Sequence, residues 1–369
     1  MTGEVRRKIA LVTGSLQGGG AERQMADMAN YWVARDTDVT MATWSGPGVE
    51  DFYPLDPRVR RAHLDLTAES RGMGKSLSNL RRVLNLRNLL LRLRPEAVLS
   101  FLPESNARVI LAGMGTRSRI VVAERAHPAW DSTVRPSWKV MRNALYRRCH
   151  CLVAQTRETA DWMERRFRVR TAVIPNALRT LPQVDERREP MILGVGRLAR
   201  QKGFDILLAA FALVAASFRD WNVVIAGEGG ERNALMRLAE ELGIADRVTL
   251  VGEVRNVESL MARAGVVVQP SRFEGFPNVV LEAMGMGAAV ISSDCPAGPR
   301  DLIEDGINGR LVPIENAEAL SVAMTELMSS ADDRARLGRE ASKVRERFRQ
   351  ELIMAKWEEV LFAPDSARE

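Results

Sequence analysis

Long hydrophobic runs are missing from this sequence. Apolar stretches such as Leu89 to Leu91 and Val266 to Val268 are cut by Arg, Gly or Pro, and none reaches the ~20 residues that a membrane-spanning helix needs. Behind Arg6, Arg7 and Lys8, the apolar stretch Ile9 to Val12 is too short for the hydrophobic region of a signal peptide. It reads as a first buried strand, and the chain is expected in the cytosol. Cysteine is scarce: Cys149, Cys151 and Cys295 are all there are, which excludes a disulfide framework and fits a reducing compartment. Cys149, His150 and Cys151 adjoin one another, but zinc takes four ligands and no second Cys/His cluster supplies the rest, so they read as strand residues. Also absent is a G-x-G-x-x-G pattern, which Gly14, Gly18, Gly19 and Gly20 do not spell, so nicotinamide or flavin binding is disfavoured. No basic-aromatic interleaving or recognised motif points to nucleic acid.

What is present is the composition of a globular protein, with 369 residues, 46% hydrophobic and 27% charged, a length suited to two domains. Short β-branched runs alternate with helical patterns from end to end. The strands expected in the first half are Ile9 to Thr13, Asp38 to Thr43, Ala97 to Phe101, Ile120 to Ala123, Cys151 to Ala154 and Ala172 to Ile174. In the second half they are Met191 to Val195, Val223 to Ala226, Val248 to Val251, Val266 to Gln269, Ala289 to Ser292 and Arg310 to Val312. Such alternation predicts an α/β protein of two doubly wound parallel-sheet domains. Turn formers and charges between Leu178 and Pro190 place the boundary, giving domains at 1–180 and 190–349. Charge divides along the same line: residues 1–180 hold 30 Lys and Arg against 17 Asp and Glu, a net +13, and the remainder carries −7. A basic half suits an anionic partner: nucleic acid, an anionic membrane surface or a phosphorylated substrate.

Three motifs sit at expected strand ends. Gly18-Gly19-Gly20 follows the first strand and precedes a helix opening with Ala21, Glu22 and Arg23, where free amides face negative charge. Gly194 to Phe204, with Arg197 and Lys202 on a glycine-flanked loop, suits a diphosphate. From Ser271 to Gly285 two carboxylates, Glu274 and Glu282, stand eight residues apart, with Pro277 in the first turn of a helix that puts Glu274 on the preceding loop. Helix amides hold phosphate and carboxylates accept from sugar hydroxyls, so this third motif suits a sugar nucleotide.

With the Arg197/Lys202 loop and the Gly-Gly-Gly-Ala-Glu-Arg opening, the E-x7-E spacing of Glu274 and Glu282 resembles glycosyltransferase family 4, a family of retaining enzymes. The likeness spans nearly the whole chain. It implies a GT-B fold, two Rossmann-like domains facing across a cleft, the first for the acceptor and the second for the nucleotide-sugar donor. It also implies that a C-terminal helix at about 350–363 packs back on the first domain. Residue by residue, Gly196, Arg197 and Lys202 would hold the donor diphosphate and Glu282 the ribose. Glu274, with Gly275, Phe276, Pro277, Asn278 and Val279, would hold the transferred sugar and distal phosphate. His127, in Glu124-Arg125-Ala126-His127-Pro128, matches the place of an active-site histidine, and Gly18, Gly19, Gly20 and Arg23 would form an acceptor or phosphate loop. No cofactor or metal is expected, since Arg197 and Lys202 supply the positive charge.

The Phe276-Pro277-Asn278 variant, with Cys295-Pro296-Ala297-Gly298-Pro299 downstream, most resembles bacterial enzymes that add hexoses or N-acetylhexosamines to lipid-linked glycans. The expected partners are a UDP-sugar, a polyprenyl-diphosphate-linked glycan and an anionic membrane surface. For the last, Arg81, Asn85, Asn88 and Arg92 share one face of a helix from Ser76 to Leu93, and Leu77, Leu80, Leu84 and Leu91 line another. Trp138 to Arg148 forms a second basic segment with Lys139, Arg142, Arg147 and Arg148. Helices packed on a sheet share this pattern with helices that lie on lipid. An epimerase of the same fold and a non-catalytic nucleotide- or carbohydrate-binding module are the alternative readings.

Overall fold

All strand pairing between the named strands is parallel, as buried, β-branched runs joined by helices require. The computed structural model describes residues 6–46, 48–64, 75–129, 134–182, 187–254 and 256–363. The chain forms two units, Met1–Pro175 with Met354–Glu369, and Asn176–Ile353.

The first unit is built on seven strands: β1 (Lys8–Thr13), β2 (Asp38–Thr43), β3 (Arg60–His63), β4 (Ala97–Phe101), β5 (Arg119–Ala123), β6 (Cys151–Ala154) and β7 (Thr171–Val173). Their order is β3-β2-β1-β4-β5-β6-β7. β3 is the strand that sequence reading missed. Arg60-Arg61-Ala62-His63 has no apolar run, and it sits at the sheet edge, where charged residues are tolerated. Arg61 is held there by Asp51 at 2.9 Å and by the Met41 carbonyl at 3.1 Å.

The second unit has six: β8 (Glu189–Val195), β9 (Asn222–Ala226), β10 (Val248–Gly252), β11 (Ala264–Gln269), β12 (Ala289–Ser293) and β13 (Arg310–Val312), in the order β10-β9-β8-β11-β12-β13. Each sheet reverses its winding once, at β1/β4 and at β8/β11. In an open parallel sheet the strand ends at such a reversal leave the crevice where ligands bind. The glycine loop leaves β1, and the Arg197/Lys202 and Glu274 loops leave β8 and β11.

Fully buried Leu207, Leu208 and Phe211 anchor helix Phe204–Val214 on the second sheet, each side chain contributing ~1.5 to 3 kcal/mol through burial. Helix Gln350–Phe362 closes the core of the first unit. Its Trp357 ring lies 5.9 Å from Phe101, and its Glu358 Oε1 accepts from Trp32 Nε1 at 3.1 Å. The division between the units falls at Pro175/Asn176, slightly before the Leu178 to Pro190 segment, because the backbone of Leu178 donates to the Phe348 carbonyl at 2.7 Å and Leu178 and Leu181 pack on Gly285.

One expectation needs correction. Trp138 to Arg148 is not one helix but helix Pro136–Leu145 followed by a 3-10 turn, Tyr146–Arg148. Arg142 within it is buried 3.9 Å from the carboxylate of Glu124, so it does not belong to a basic outer surface. In helix Lys75–Leu93 it is Leu86 and Leu90 that are buried, whereas Leu77, Leu80, Leu84 and Leu91 stand exposed. Among the described residues no helix is long and apolar enough to cross a membrane.

Candidate functional site

In the second unit, the chain leaves β8 through Gly196, turns through a 3-10 segment, Arg200–Lys202, and enters helix Phe204–Val214. Two glycines make this path possible. Gly203 has φ +67°, and a Cβ there would lie 2.0 Å from the Pro270 carbonyl oxygen. Gly196 has φ +151° and passes so close to the Lys202 stem that a Cβ would meet Lys202 Cε at 3.2 Å. The backbone of Pro270 thus excludes a side chain at Gly203, and the positive φ at both positions favours glycine.

That neighbour is the loop after β11. Lys202 Nζ donates to Glu274 Oε1 at 2.7 Å, with side-chain exposures of 19% and 8%. The same oxygen accepts from Ser271 Oγ at 2.6 Å and from Gln269 Nε2 at 3.2 Å, and Gln269 Nε2 also reaches Ser271 Oγ at 2.7 Å. Three donors on one oxygen fix the carboxylate plane in a site nearly closed to water. Gln269 is fully buried, and its Oε1 has no hydrogen-bond partner among the described residues. Arg272 locks the two loops together: it donates to Asp205 at 2.9 and 2.7 Å, to Glu315 at 2.6 Å and to the Arg200 carbonyl at 2.6 Å. Burial, and next the charge of Glu274, push the nearby Cys295 thiol up to about 12.

Helix Asn278–Gly285 starts four residues beyond Glu274. Pro277 is therefore the residue before the helix rather than within its first turn; at ψ 82° it is still turning the chain. Asn278 Oδ1 accepts from Asn176 Nδ2 at 2.5 Å, Phe276 is buried 6.1 Å from Phe348, and Gly275, Val279 and Glu282 are half-buried. Arg197 is exposed and makes no ion pair among the described residues. The loop thus holds one cation in reserve at the surface and one already paired inside.

In the first unit the glycine loop is less open than its sequence implies. Glu22, on the first turn of helix Gly20–Val33, folds back so that Gly18 N donates to its Oε2 at 3.0 Å and Ser15 Oγ to its Oε1 at 2.6 Å. A carboxylate already takes the Gly18 amide that an anion would use. Gly19 caps the helix, and half-buried Arg23 sets its charge against Asp27.

His127 lies beyond β5, buried, with Trp162 at 5.5 Å. Burial draws its pKa below the usual range; Glu158 pulls it up and Arg142 pushes it down. Ala129 N donates to Nδ1 at 3.3 Å, which assigns the ring proton of the neutral imidazole to Nε2 and makes that nitrogen a donor. Behind it runs a buried chain: Tyr146 Oη donates to Glu124 Oε1 at 2.5 Å, Asn106 Nδ2 to Tyr146 Oη at 2.9 Å, and Ser100 Oγ to Asn106 Oδ1 at 2.7 Å.

Sequence reading missed Gln269 and Ser271, although two polar residues at the end of a buried apolar strand, directly before an acidic loop, are a visible signal. Arg272 carries no such mark, because its partners lie 43 and 67 residues away. Among the described residues no group of three or more His, Cys, Asp or Glu is placed to hold a metal ion.

Residues 18–180 match the family Glycosyltransferase Family 4, and residues 182–344 match Glycosyl transferases group 1. A Campylobacter jejuni protein, named as the GalNAc-alpha-(1->4)-GalNAc-alpha-(1->3)-diNAcBac-PP-undecaprenol alpha-1,4-N-acetyl-D-galactosaminyltransferase, is 26% identical over 356 residues, which is 95% of this chain and 97% of its own. Sucrose-phosphate synthase from Thermosynechococcus elongatus matches with a TM-score of 0.84 at 20% identity, covering 96% of this chain and 98% of that one. Anabaena HepE, solved in complex with UDP, matches with a TM-score of 0.78 at 19% identity, covering 96% and 99%. With two parallel-sheet Rossmann-like domains and a match to both families, the chain belongs to the GT-B glycosyltransferases that join a Family 4 domain to a group 1 domain.

Proposed function

We propose that the protein is a retaining, metal-independent glycosyltransferase that moves a hexose or N-acetylhexosamine from a UDP-sugar to a polyprenyl-diphosphate-linked glycan, forming an α-glycosidic bond. The observation that carries this reading is the Lys202–Glu274 pair at the β8/β11 reversal, with Arg197 on the same loop. An anionic diphosphate entering there meets Arg197 at the surface and Lys202 inside. Glu274 Oε1 is saturated by its three donors, which leaves Oε2 to accept a hydroxyl of the transferred sugar. Glu282 would accept from the ribose, and Gly275 to Val279 would line the sugar and distal phosphate. As the glycosidic bond breaks, negative charge grows on the leaving diphosphate while the sugar becomes oxocarbenium-like; the two cations stabilise the first and Glu274 orients the second. Support for the substrates comes from the relatives' names: the Campylobacter enzyme acts on an undecaprenol-diphosphate glycan, and HepE binds UDP.

In the first unit His127 would donate from Nε2 to the substrate, with Gly18, Gly19, Gly20 and Arg23 on the acceptor side. The excess positive charge of residues 1–180 suits an anionic membrane surface and a lipid diphosphate. The test is incubation with a panel of UDP-sugars and a bacterial membrane lipid extract, with the product identified by mass spectrometry and its anomeric configuration by NMR. Transfer with an α-linked product is expected. Donor turnover without acceptor would point to an epimerase, and an inverted linkage would overturn the retaining mechanism.

A further inference from the structure

The loop that leaves β2 carries a ring in open water. Phe52 is 66% exposed, and among the described residues it is the only aromatic side chain that stands exposed, the others being buried or half-buried. A phenylalanine kept at the surface forgoes the burial that stabilises the rest. Single exposed apolar residues are ordinary when nothing fixes them. This one is fixed.

The chain around it is fastened to its neighbours. Phe52 N donates to the Leu16 carbonyl at 2.9 Å, which ties the loop to the segment between β1 and the glycine loop. Asp51 accepts from Arg61 Nε at 3.0 Å and Nη2 at 2.9 Å, which ties it to β3. Asn30 of helix Gly20–Val33 donates to the Pro54 carbonyl at 3.0 Å and accepts from Asp56 N at 2.8 Å. Half-buried Tyr53 braces the ring edge to face, with centroids 5.1 Å apart and planes at 89°. A ring held in this way loses little freedom when a ligand covers it.

Position and charge indicate the ligand. The loop lies at the C-terminal edge of the first sheet, on the strand next to β1, where an open parallel sheet binds its ligands. Exposed Gln17 and Gly18 follow Leu16, and exposed Glu50 stands just before Asp51 and Phe52. Although residues 1–180 carry a net +13, residues 44–57 contain Glu50, Asp51 and Asp56 and no Lys or Arg. Such a loop repels a diphosphate. A neutral sugar finds there a flat apolar surface for the C–H face of its pyranose, and an amide and a carboxylate for its hydroxyls.

We propose that Phe52 is a stacking platform for a neutral pyranose of the glycan acceptor, with Gln17 and Glu50 hydrogen-bonded to its hydroxyls. The inference rests on the proposed transfer to a glycan and deepens it, since the loop then reads the saccharide of the acceptor and not its lipid diphosphate.

The test is NMR of the full chain, carrying isotope-labelled phenylalanine rings, titrated with the methyl α-glycosides of glucose, galactose and N-acetylgalactosamine. It compares the wild type with Phe52→Ala, Phe52→Leu and Phe52→Trp. UDP binding, thermal unfolding and the apparent KM for acceptor in a bacterial membrane lipid extract are measured on each. At least one glycoside is expected to shift the Phe52 signal, its own C–H protons moving upfield under the ring current. Phe52→Ala and Phe52→Leu weaken that binding about tenfold and raise the acceptor KM more than they lower kcat, with UDP affinity and unfolding midpoint unchanged. Phe52→Trp restores it. Leucine is the discriminating change, because it keeps the apolar area and lacks the ring face. Undiminished glycoside binding in Phe52→Ala would overturn the platform, as would a wild type in which no glycoside moves the Phe52 signal; either would leave transfer from a UDP-sugar standing. Glycoside binding at Phe52 without transfer from any UDP-sugar would keep the platform and overturn the transferase reading instead.

Discussion

Lys202 Nζ and Glu274 Oε1 lie 2.7 Å apart, although 72 residues separate them in the chain. Their strands, β8 and β11, are neighbours at the middle of the sheet, so two loops distant in sequence leave the same edge together. The pair has a cost and a use. In the proposed donor site, Glu274 would hold the ammonium in place until a diphosphate drew Lys202 toward itself at the expense of that bond. Geometry settled in advance leaves less reorganisation to the moment of reaction.

Substitutions around Glu274 separate holding the carboxylate from providing it. Glu274→Gln keeps the shape but removes the charge-assisted contacts, each worth ~1.5 to 3 kcal/mol, so transfer falls ~10- to 150-fold while UDP affinity changes less. Ser271→Ala removes one of three donors and leaves the carboxylate in place, so a smaller drop in kcat, with KM for the donor nearly constant, is expected. Steady-state kinetics beside calorimetric UDP titration decide the matter. Wild-type kinetics in both variants would remove Glu274 from the reaction.

Arg197 is exposed and its side chain has no ion-pair partner among the described residues, so its truncation is expected to act on the ligand alone. Arg197→Ala should weaken UDP binding by ~10-fold or more, through loss of a charge-assisted phosphate contact, and leave the unfolding midpoint unchanged. Lys202→Ala contrasts with it. That change also strips the buried Glu274 carboxylate of its cation, and a loss of ~1 to 3 kcal/mol in denaturant unfolding should accompany the weaker binding. Equal stability effects of the two changes would contradict the geometry.

What the sequence conveyed and what it withheld follow one physical line. Runs such as Val266 to Val268 and Ile9 to Val12 are apolar because both sheet faces are covered, and a pattern that local is readable. β3 was not readable, because an edge strand keeps its polar residues. The leucines of helix Lys75–Leu93 were readable only in part. Periodicity shows that they share a face but not whether that face turns toward the sheet or away from it. At the candidate site, the Lys202 and Glu274 loops were legible from strand-end position and charge type, and the fold brings those two side chains together. The Gln269 and Ser271 donors, and Glu22 on the Gly18 amide, depend on where side chains turn, and only coordinates convey that.

Metal independence follows from the charge balance proposed for the donor site. If Arg197 and Lys202 neutralise the diphosphate, full transfer activity should persist in excess EDTA. The check is a transfer assay with the chelator added before the donor. Loss of activity that magnesium restores would show that the two side chains do not suffice.

The last prediction concerns pH and His127. Burial holds its folded pKa below the unfolded reference of about 6.5. Above that reference both states carry a neutral ring, and the group adds nothing to the pH dependence. As pH falls through 6.5 the unfolded chain takes up a proton that the native chain refuses, so stability declines by up to ~1.4 kcal/mol per pH unit until the folded pKa is reached. His127→Asn removes the titration, and the stability difference between wild type and variant should shrink between pH 7.5 and pH 5.5 as the wild type loses its advantage. Urea unfolding of both proteins at the two pH values measures it. A difference that stays constant, or widens toward acid, would mean that the imidazole is not kept neutral by burial. Nδ1 would then carry a proton, and the hydrogen bond it accepts from Ala129 N would be lost.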